Sequence, residues 1–240
     1  MAVYITGDKH RDYDDVALFC KEHSTTKDDL LIVLGDNGVN YYGDKQGDYR
    51  VKRRLQKLPI TFMMIRGNHD MRPTETMGYQ LTKVDSQSCC GWFLVQPEFP
   101  NLLFARDGAF YTVGDGKNVF VAGGAYSVDK YYRLLRDLHW FEDEQLSANE
   151  MDGAELLLEH GCRQYGIIDA ILTHTCPYKY RPVDLFIPGL NQSNVDHTME
   201  QWLDALESRY PYKKWYCGHW HTDRVVDKLR FMYHDIILFE

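Results

Sequence analysis

Five polar runs each follow an apolar stretch in this 240-residue chain, and their side chains are of the kinds that hold metal ions. They are Gly7-Asp8-Lys9-His10, Gly35-Asp36-Asn37-Gly38, Arg66-Gly67-Asn68-His69-Asp70, Thr173-His174-Thr175 and Gly218-His219-Trp220-His221. In extended chain, residues i and i+2 point the same way. Asp8 and His10 therefore share a face, as do His219 and His221, while Lys9 and Trp220 point elsewhere. Carboxylate, carboxamide and imidazole donors together suit borderline divalent ions such as Mn, Fe, Zn or Ni, with Mn and Fe favoured. They fit an all-oxygen calcium site or a thiolate zinc site poorly. Asp8, His10, Asp36, Asn68, His174, His219 and His221 are more candidate ligands than one tetrahedral ion uses. Two divalent ions about 3.5–4 Å apart, sharing one carboxylate, would use them all, as in many phosphatases and nucleases.

The elements around these runs explain how they could converge. Residues 2–6, Leu30–Leu34 and Ile60–Ile65 are short apolar runs that predict buried strands. Helical pattern lies between them at 12–23, with Val16, Leu18 and Phe19 on one side, and at 44–57. Strands alternating with helices predict βαβ crossovers and a parallel sheet. The carboxyl ends of such strands form the usual ligand-binding edge. Residues 91–125 instead carry short β-rich stretches broken by turn residues, Trp92–Val95, Leu102–Ala105, Ala109–Val113 and Val119–Ala122, which predict an antiparallel section. Further on come a helix near 147–160, a strand at Ile167–Thr173, a helix near 197–208, a strand at Lys214–Cys217 and a last strand near Phe231–Phe239. With no repeat or linker in view, residues 1–240 are expected to form one α/β domain of two packed sheets with helices outside.

Composition narrows the partners. The formal charge of −8 and the lack of a basic stripe disfavour a nucleic-acid partner without excluding one. They leave a small phosphorylated substrate open, because bound cations invert the local field. The amino terminus lacks the basic and apolar regions of a signal peptide, and no run approaches the ~20 apolar residues of a membrane span, so no membrane partner is expected. The six cysteines include adjacent Cys89 and Cys90 but no C-x-x-C, and are expected to be reduced thiols in a cytoplasmic protein.

Singly, the polar residues have ordinary explanations. Asp8 could cap the helix that follows, and Gly35 and Gly38 could be turn residues. His174 could be a satisfied core histidine, and Arg66 a structural ion pair. Ser127, Asp129, Lys130 and Arg133 could line a substrate wall or form a solvated helix face. None of these explains all five runs in order. The order Asp-x-His, Gly-Asp, Gly-Asn-His-Asp, His, Gly-His-x-His resembles the signature of the calcineurin-like metallophosphoesterase superfamily, over residues 8–221. The stretch Gly123–Lys130 is similar to a loop of its bacterial members.

The resemblance implies a four-layer α-β-β-α sandwich of two mixed sheets flanked by helices. It implies that Asp8, His10 and His221 bind one metal, that Asn68, His174 and His219 bind the other, and that Asp36 bridges them. His69 would contact the phosphate and protonate the leaving group after attack by metal-bound hydroxide. The chain departs from the protein Ser/Thr phosphatase branch at Val39 and Asn40, which stand where that branch has an Asp and an Arg. Asp70, Asn37 and Asn40 are the candidates for orienting His69 in their place, with Asp70 counted as a catalytic candidate. The expected function is metal-dependent hydrolysis of a small phosphomonoester or phosphodiester. The alternatives are a nuclease and a non-catalytic metal-binding interaction module on the same fold.

Overall fold

Leu30–Leu34 is apolar at every position, so it is stable only as a strand covered on both faces. All five residues are indeed buried. The computed structural model describes residues 1–43, 46–186, 189 and 193–240. In order, the chain forms β1 (Val3–Thr6), α1 (Asp14–Glu22), β2 (Leu30–Leu34), α2 (Gly47–Gln56), β3 (Thr61–Ile65), β4 (Gln80–Asp85) and β5 (Cys89–Val95). Then come β6 (Leu102–Phe104), β7 (Ala109–Val113), β8 (Lys117–Ala122), α3 (Lys130–Leu135), α4 (Ala148–Tyr165) and β9 (Ile168–Thr173). The chain finishes with α5 (Thr198–Arg209), β10 (Tyr212–Cys217), β11 (Arg224–Val226), β12 (Leu229–Phe231) and β13 (Ile237–Leu238).

As the alternating pattern predicts, β1, β2 and β3 pair in parallel, with Thr6 beside Val33 and Val33 beside Met64. The second parallel set is β8, β9 and β10, with Ala122 beside Thr173 and Thr173 beside Cys217. The middle of the chain is antiparallel, and β5 joins the two sets. Its first residues, Cys89 and Cys90, pair with β7, and Leu94 pairs with Phe104 of β6. Among the described residues one mixed sheet of 13 strands results, in the order β11-β12-β10-β9-β8-β7-β5-β6-β3-β2-β1-β13, with β4 on β5.

The sheet curls, and side-chain alternation divides its core. Ile5, Ile32 and Met63 from one parallel set meet Val121, Leu172 and Tyr216 from the other in a shared cluster. The intervening Leu31, Val33 and Phe62 pack under Val16 and Leu55 of α1 and α2. Phe120, Ile171 and Trp215 pack under Leu158 and Leu203 of α4 and α5. Each parallel set thus has one face in the shared core and one under helices.

The structure differs from expectation in a few places. Helix α4 starts where its Ser147–Glu150 capping box dictates but runs on to Tyr165. The helix expected from residue 44 begins at Gly47, and residues 44 and 45 lie outside the described residues. The last strand is replaced by the short β11, β12 and β13, because the Asp223 carboxylate accepts the N–H groups of Tyr233, His234 and Asp235 and turns the chain there. All six cysteines are free, and no helix among the described residues is long and apolar enough to cross a membrane.

Candidate active site

Parallel strands bring their carboxyl ends to one edge, and the candidate ligands sit just beyond those ends. Asp8 follows β1, Asp36 follows β2, Asn68 and His69 follow β3, His174 follows β9, and His219 and His221 follow β10. The chain must turn sharply off the sheet there. Among the described residues eight non-glycines have positive φ, and four of them are candidate ligands: His10 (43°), Asp36 (45°), His219 (65°) and His221 (46°). Such backbone costs about 1–3 kcal/mol per residue and persists only where its surroundings enforce it. Two glycines permit the closeness. A Cβ on Gly35, itself at φ 95°, would lie 2.0 Å from His174 Nδ1, and one on Gly67 would lie 2.1 Å from Asp36 Oδ1.

Asn68, His174 and Asp36 are buried, and the half-buried His219 joins them. His174 Nδ1 lies 2.7 Å from the Leu34 carbonyl, which can only accept, so the proton of the neutral ring is on Nδ1. Its Nε2 then presents a lone pair 2.8 Å from Asn68 Oδ1 and 3.5 Å from Asp36 Oδ1. His219 Nδ1 is 3.1 Å from the same Asn68 oxygen. At the rim, His10 Nε2 and His221 Nε2 are 2.9 Å apart. Asp8 Oδ2 is 3.2 Å from His221 Nε2, yet it is buried without a properly directed hydrogen bond. Donor atoms of Asp8, His10 and His221 all lie within 4.8 Å of one another. Asp36 stands between the groups, with Oδ2 3.8 Å from His10 Nδ1 and 4.0 Å from His69 Nε2. His174 Nε2 and Asn68 Oδ1 are acceptors confronting one another with no proton between them, which a cation resolves, and the Asp8, His10 and His221 donors crowd together in the same way, so the residues present fit a bound metal.

His69 is tied down by its backbone N–H, 2.9 Å from Asp36 Oδ1. Its ring meets Arg133 of α3, whose Nη2 is 3.1 Å from His69 Nε2. Arg133 is held by Asp129 Oδ2 at 2.8 Å and the His139 carbonyl at 3.2 Å. None of the three candidates for orienting His69 bonds to its ring among the described contacts. Asp70 accepts from the backbone N–H groups of Asn37, Gly38 and Gly67 and from Asn37 Nδ2, all at 2.9–3.0 Å. It fastens the Asp36 loop to the Asn68 loop rather than addressing the reacting region. Asn37 Nδ2 bonds the Ile65 carbonyl, and Asn40 Oδ1 accepts from Lys52 and Tyr79. Val39 is fully buried in the apolar core.

A cavity of 220 Å³ opens over His10, Asp36 and His69 and is walled by Arg11, Gly38, Tyr41 and Arg133. Arg11 is fixed against it by a bond to the Gly47 carbonyl and by stacking on Tyr42. Sequence reasoning overlooked Arg11 and Glu144, and left Ser127 and Arg133 between a substrate wall and a solvated face. Arg133 follows the Gly123–Lys130 stretch directly, and that was the available signal. Arg66 proves structural, bonded to Asp107 and to the carbonyls of Gly123, Asp143 and Glu144.

Burial dominates the electrostatics. It pushes the imidazolium forms of His10, His174 and His219 below their usual range, and burial together with Arg133 drives His69 down to about 3. It also raises the Asp36 carboxyl well above the usual range, helped by Asp8 and Asp70. The histidines bind protons in the unfolded chain below about pH 6.5 but resist them when folded, so their contribution falls as pH drops through that value. Asp36 and His221, whose imidazolium is favoured by its hydrogen bond to Asp8, act in the opposite sense, two groups against four. The metal-free protein is therefore expected to lose stability between pH 7 and pH 5, by about 2 kcal/mol from His69 alone. Thermal melts in chelator across that interval check this, and a flat profile would contradict it.

The sequence profile of the calcineurin-like phosphoesterases matches residues 1–223. No curated protein matches the chain. One solved structure aligns with 100% of this chain and 99% of its own, at 13% identity and a TM-score of 0.51. Another, the phosphopantetheinyl hydrolase PptH from Mycobacterium tuberculosis, aligns with 97% of this chain and 88% of its own, at 17% identity and a TM-score of 0.45.

Proposed function

The chain belongs to the calcineurin-like phosphoesterase family, and from that premise we propose that it hydrolyses small phosphate esters with the help of two divalent cations. The observation that carries this is the pair of acceptor clusters at the strand ends. Asp8, His10 and His221 would hold one cation, Asn68, His174 and His219 the other, with Asp36 shared. When bound, the cations would neutralise phosphoryl charge and lower the pKa of water at the site. The curled sheet, with a shared core inside and helices on both outer faces, supports the four-layer α-β-β-α arrangement that goes with this function.

The chain's own residues supply the rest. Arg11 and Arg133 present fixed positive charge to an anion entering the 220 Å³ cavity, whose size suits a phosphoryl group and the first atoms of its ester. Arg133 occupies, from a different element, the phosphate-facing role that Asn40 cannot fill. Burial and the neighbouring Arg133 disfavour the charged form of the His69 ring. A phosphoryl dianion arriving between it and Arg133 would offset the guanidinium and let the ring take up the proton it hands to the leaving oxygen. The free thiols support a reducing, cytoplasmic setting.

Protein stripped by chelator and reloaded with Mn, Fe, Zn or Ni is expected to hydrolyse aryl phosphomonoesters or diesters and to be inert when stripped. Undiminished activity after stripping would reject the proposal, as would full metal content with no hydrolysis of either ester. Cleavage of single-stranded nucleic acid alone would assign the nuclease function instead.

A further inference from the structure

Behind Asn68 lies a buried chain of hydrogen bonds that the reaction itself does not call for. Asn68 Nδ2 donates to Ser127 Oγ at 2.8 Å, Ser127 Oγ donates to Glu144 Oε2 at 2.5 Å, and the Ser127 backbone N–H donates to Glu144 Oε1 at 3.0 Å. Asn68, Ser127 and Glu144 are 2%, 1% and 3% exposed, so water does not offer alternatives. Each link has one permitted direction. The carboxylate only accepts, so the Ser127 hydroxyl points its proton at Glu144. The hydroxyl oxygen is then the acceptor left for Asn68, which must turn its NH₂ outward and its Oδ1 toward His174 and His219. A carboxamide has no charge to choose its own orientation, and the reversed amide would aim two N–H donors at the place where a cation is to bind.

We infer that Ser127 and Glu144 are positioning residues that set the polarity of Asn68, and through it the affinity of the buried cation site. The inference rests on the proposed role of Asn68 as a metal donor. Supporting groups of this kind change metal affinity by roughly 10- to 100-fold.

Glu144→Gln makes the idea testable by sign. The Ser127 backbone N–H can only donate, so it keeps the Gln oxygen, and the Gln NH₂ faces Ser127 Oγ. The hydroxyl proton is then directed at Asn68, whose amide must reverse. Ser127→Ala breaks the relay without forcing the wrong orientation. Adding Ser127→Ala to Glu144→Gln removes the group that transmits the reversal. Calorimetric titration of Mn²⁺ into the metal-free proteins, with melting temperatures recorded alongside, is expected to show two sites in the parent. One of them should weaken roughly 10- to 100-fold in Glu144→Gln and less in Ser127→Ala, with the double variant binding more tightly than Glu144→Gln. A merely structural role predicts the opposite ranking, with the double variant weakest. That ranking, or parent-like binding by Glu144→Gln, overturns the inference while leaving the two-cation proposal standing. A parent protein that binds no Mn²⁺ overturns both.

Discussion

Asp36→Asn is expected to lower kcat/KM for ester hydrolysis by about 10³-fold or more, equivalent to ~4 kcal/mol of lost transition-state stabilisation. Asp36 is the side chain that faces both clusters, with His174, His10 and His69 all within 4.0 Å of its carboxylate. An amide of the same shape carries no charge and offers one acceptor oxygen, so it cannot serve two cations at once. It also turns N–H donors toward the lone pair of His10 or His174, and a hydrogen bond there would occupy the electron pair a cation needs. The His69 backbone N–H that Asp36 Oδ1 accepts can still be satisfied by the amide oxygen, so the loop should keep its conformation. Metal content and kcat/KM measured on the folded variant decide the matter. Retention of two ions with activity within tenfold of the parent would remove Asp36 from the centre.

The second large effect concerns His69. His69→Ala is expected to reduce kcat by roughly 10²–10⁴-fold on esters with poor alcohol leaving groups, and far less on a nitrophenyl ester whose leaving group needs no proton. Its metal content should stay near that of the parent, because the ring approaches Asp36 Oδ2 at 4.0 Å but joins neither acceptor cluster. The ratio of the two rates separates two roles that the geometry brings close together. As proton donor, His69 matters in proportion to the basicity of the departing oxygen. As a support for Arg133, 3.1 Å away, it would matter equally for every ester. Equal loss on both substrates would therefore strip His69 of the acid role and leave it a prop for the guanidinium.

Much of the scaffold could be read from local pattern. β2 has the bounds its apolar run predicts, and β1, β3, β9 and β10 lie where short apolar stretches precede polar runs. The candidate ligands were legible for the same reason: each sits one to four residues past a strand, and parallel strands bring such positions together. What escaped was either weakly patterned or tertiary. β4 has no buried residue and α3 none either, so neither carries the alternation that betrays an element. Arg133 reaches His69 across 64 positions and Ser127 reaches Asn68 across 59, separations that no local window contains. Asp70 adjoins His69 in sequence, but adjacency says little about where a side chain points. Its carboxylate is fully engaged by N–H groups of two loops.

The contact between His10 and His221 joins residues 211 positions apart. A chain emerging from the ribosome exposes its first donors long before the last, so the centre cannot assemble during most of synthesis. An ion captured there would clip shut a loop spanning 211 positions, and the entropy of that closure grows only slowly with its length. Metal uptake there would have to follow the meeting of these distant segments, and it would act as a reversible crosslink between them.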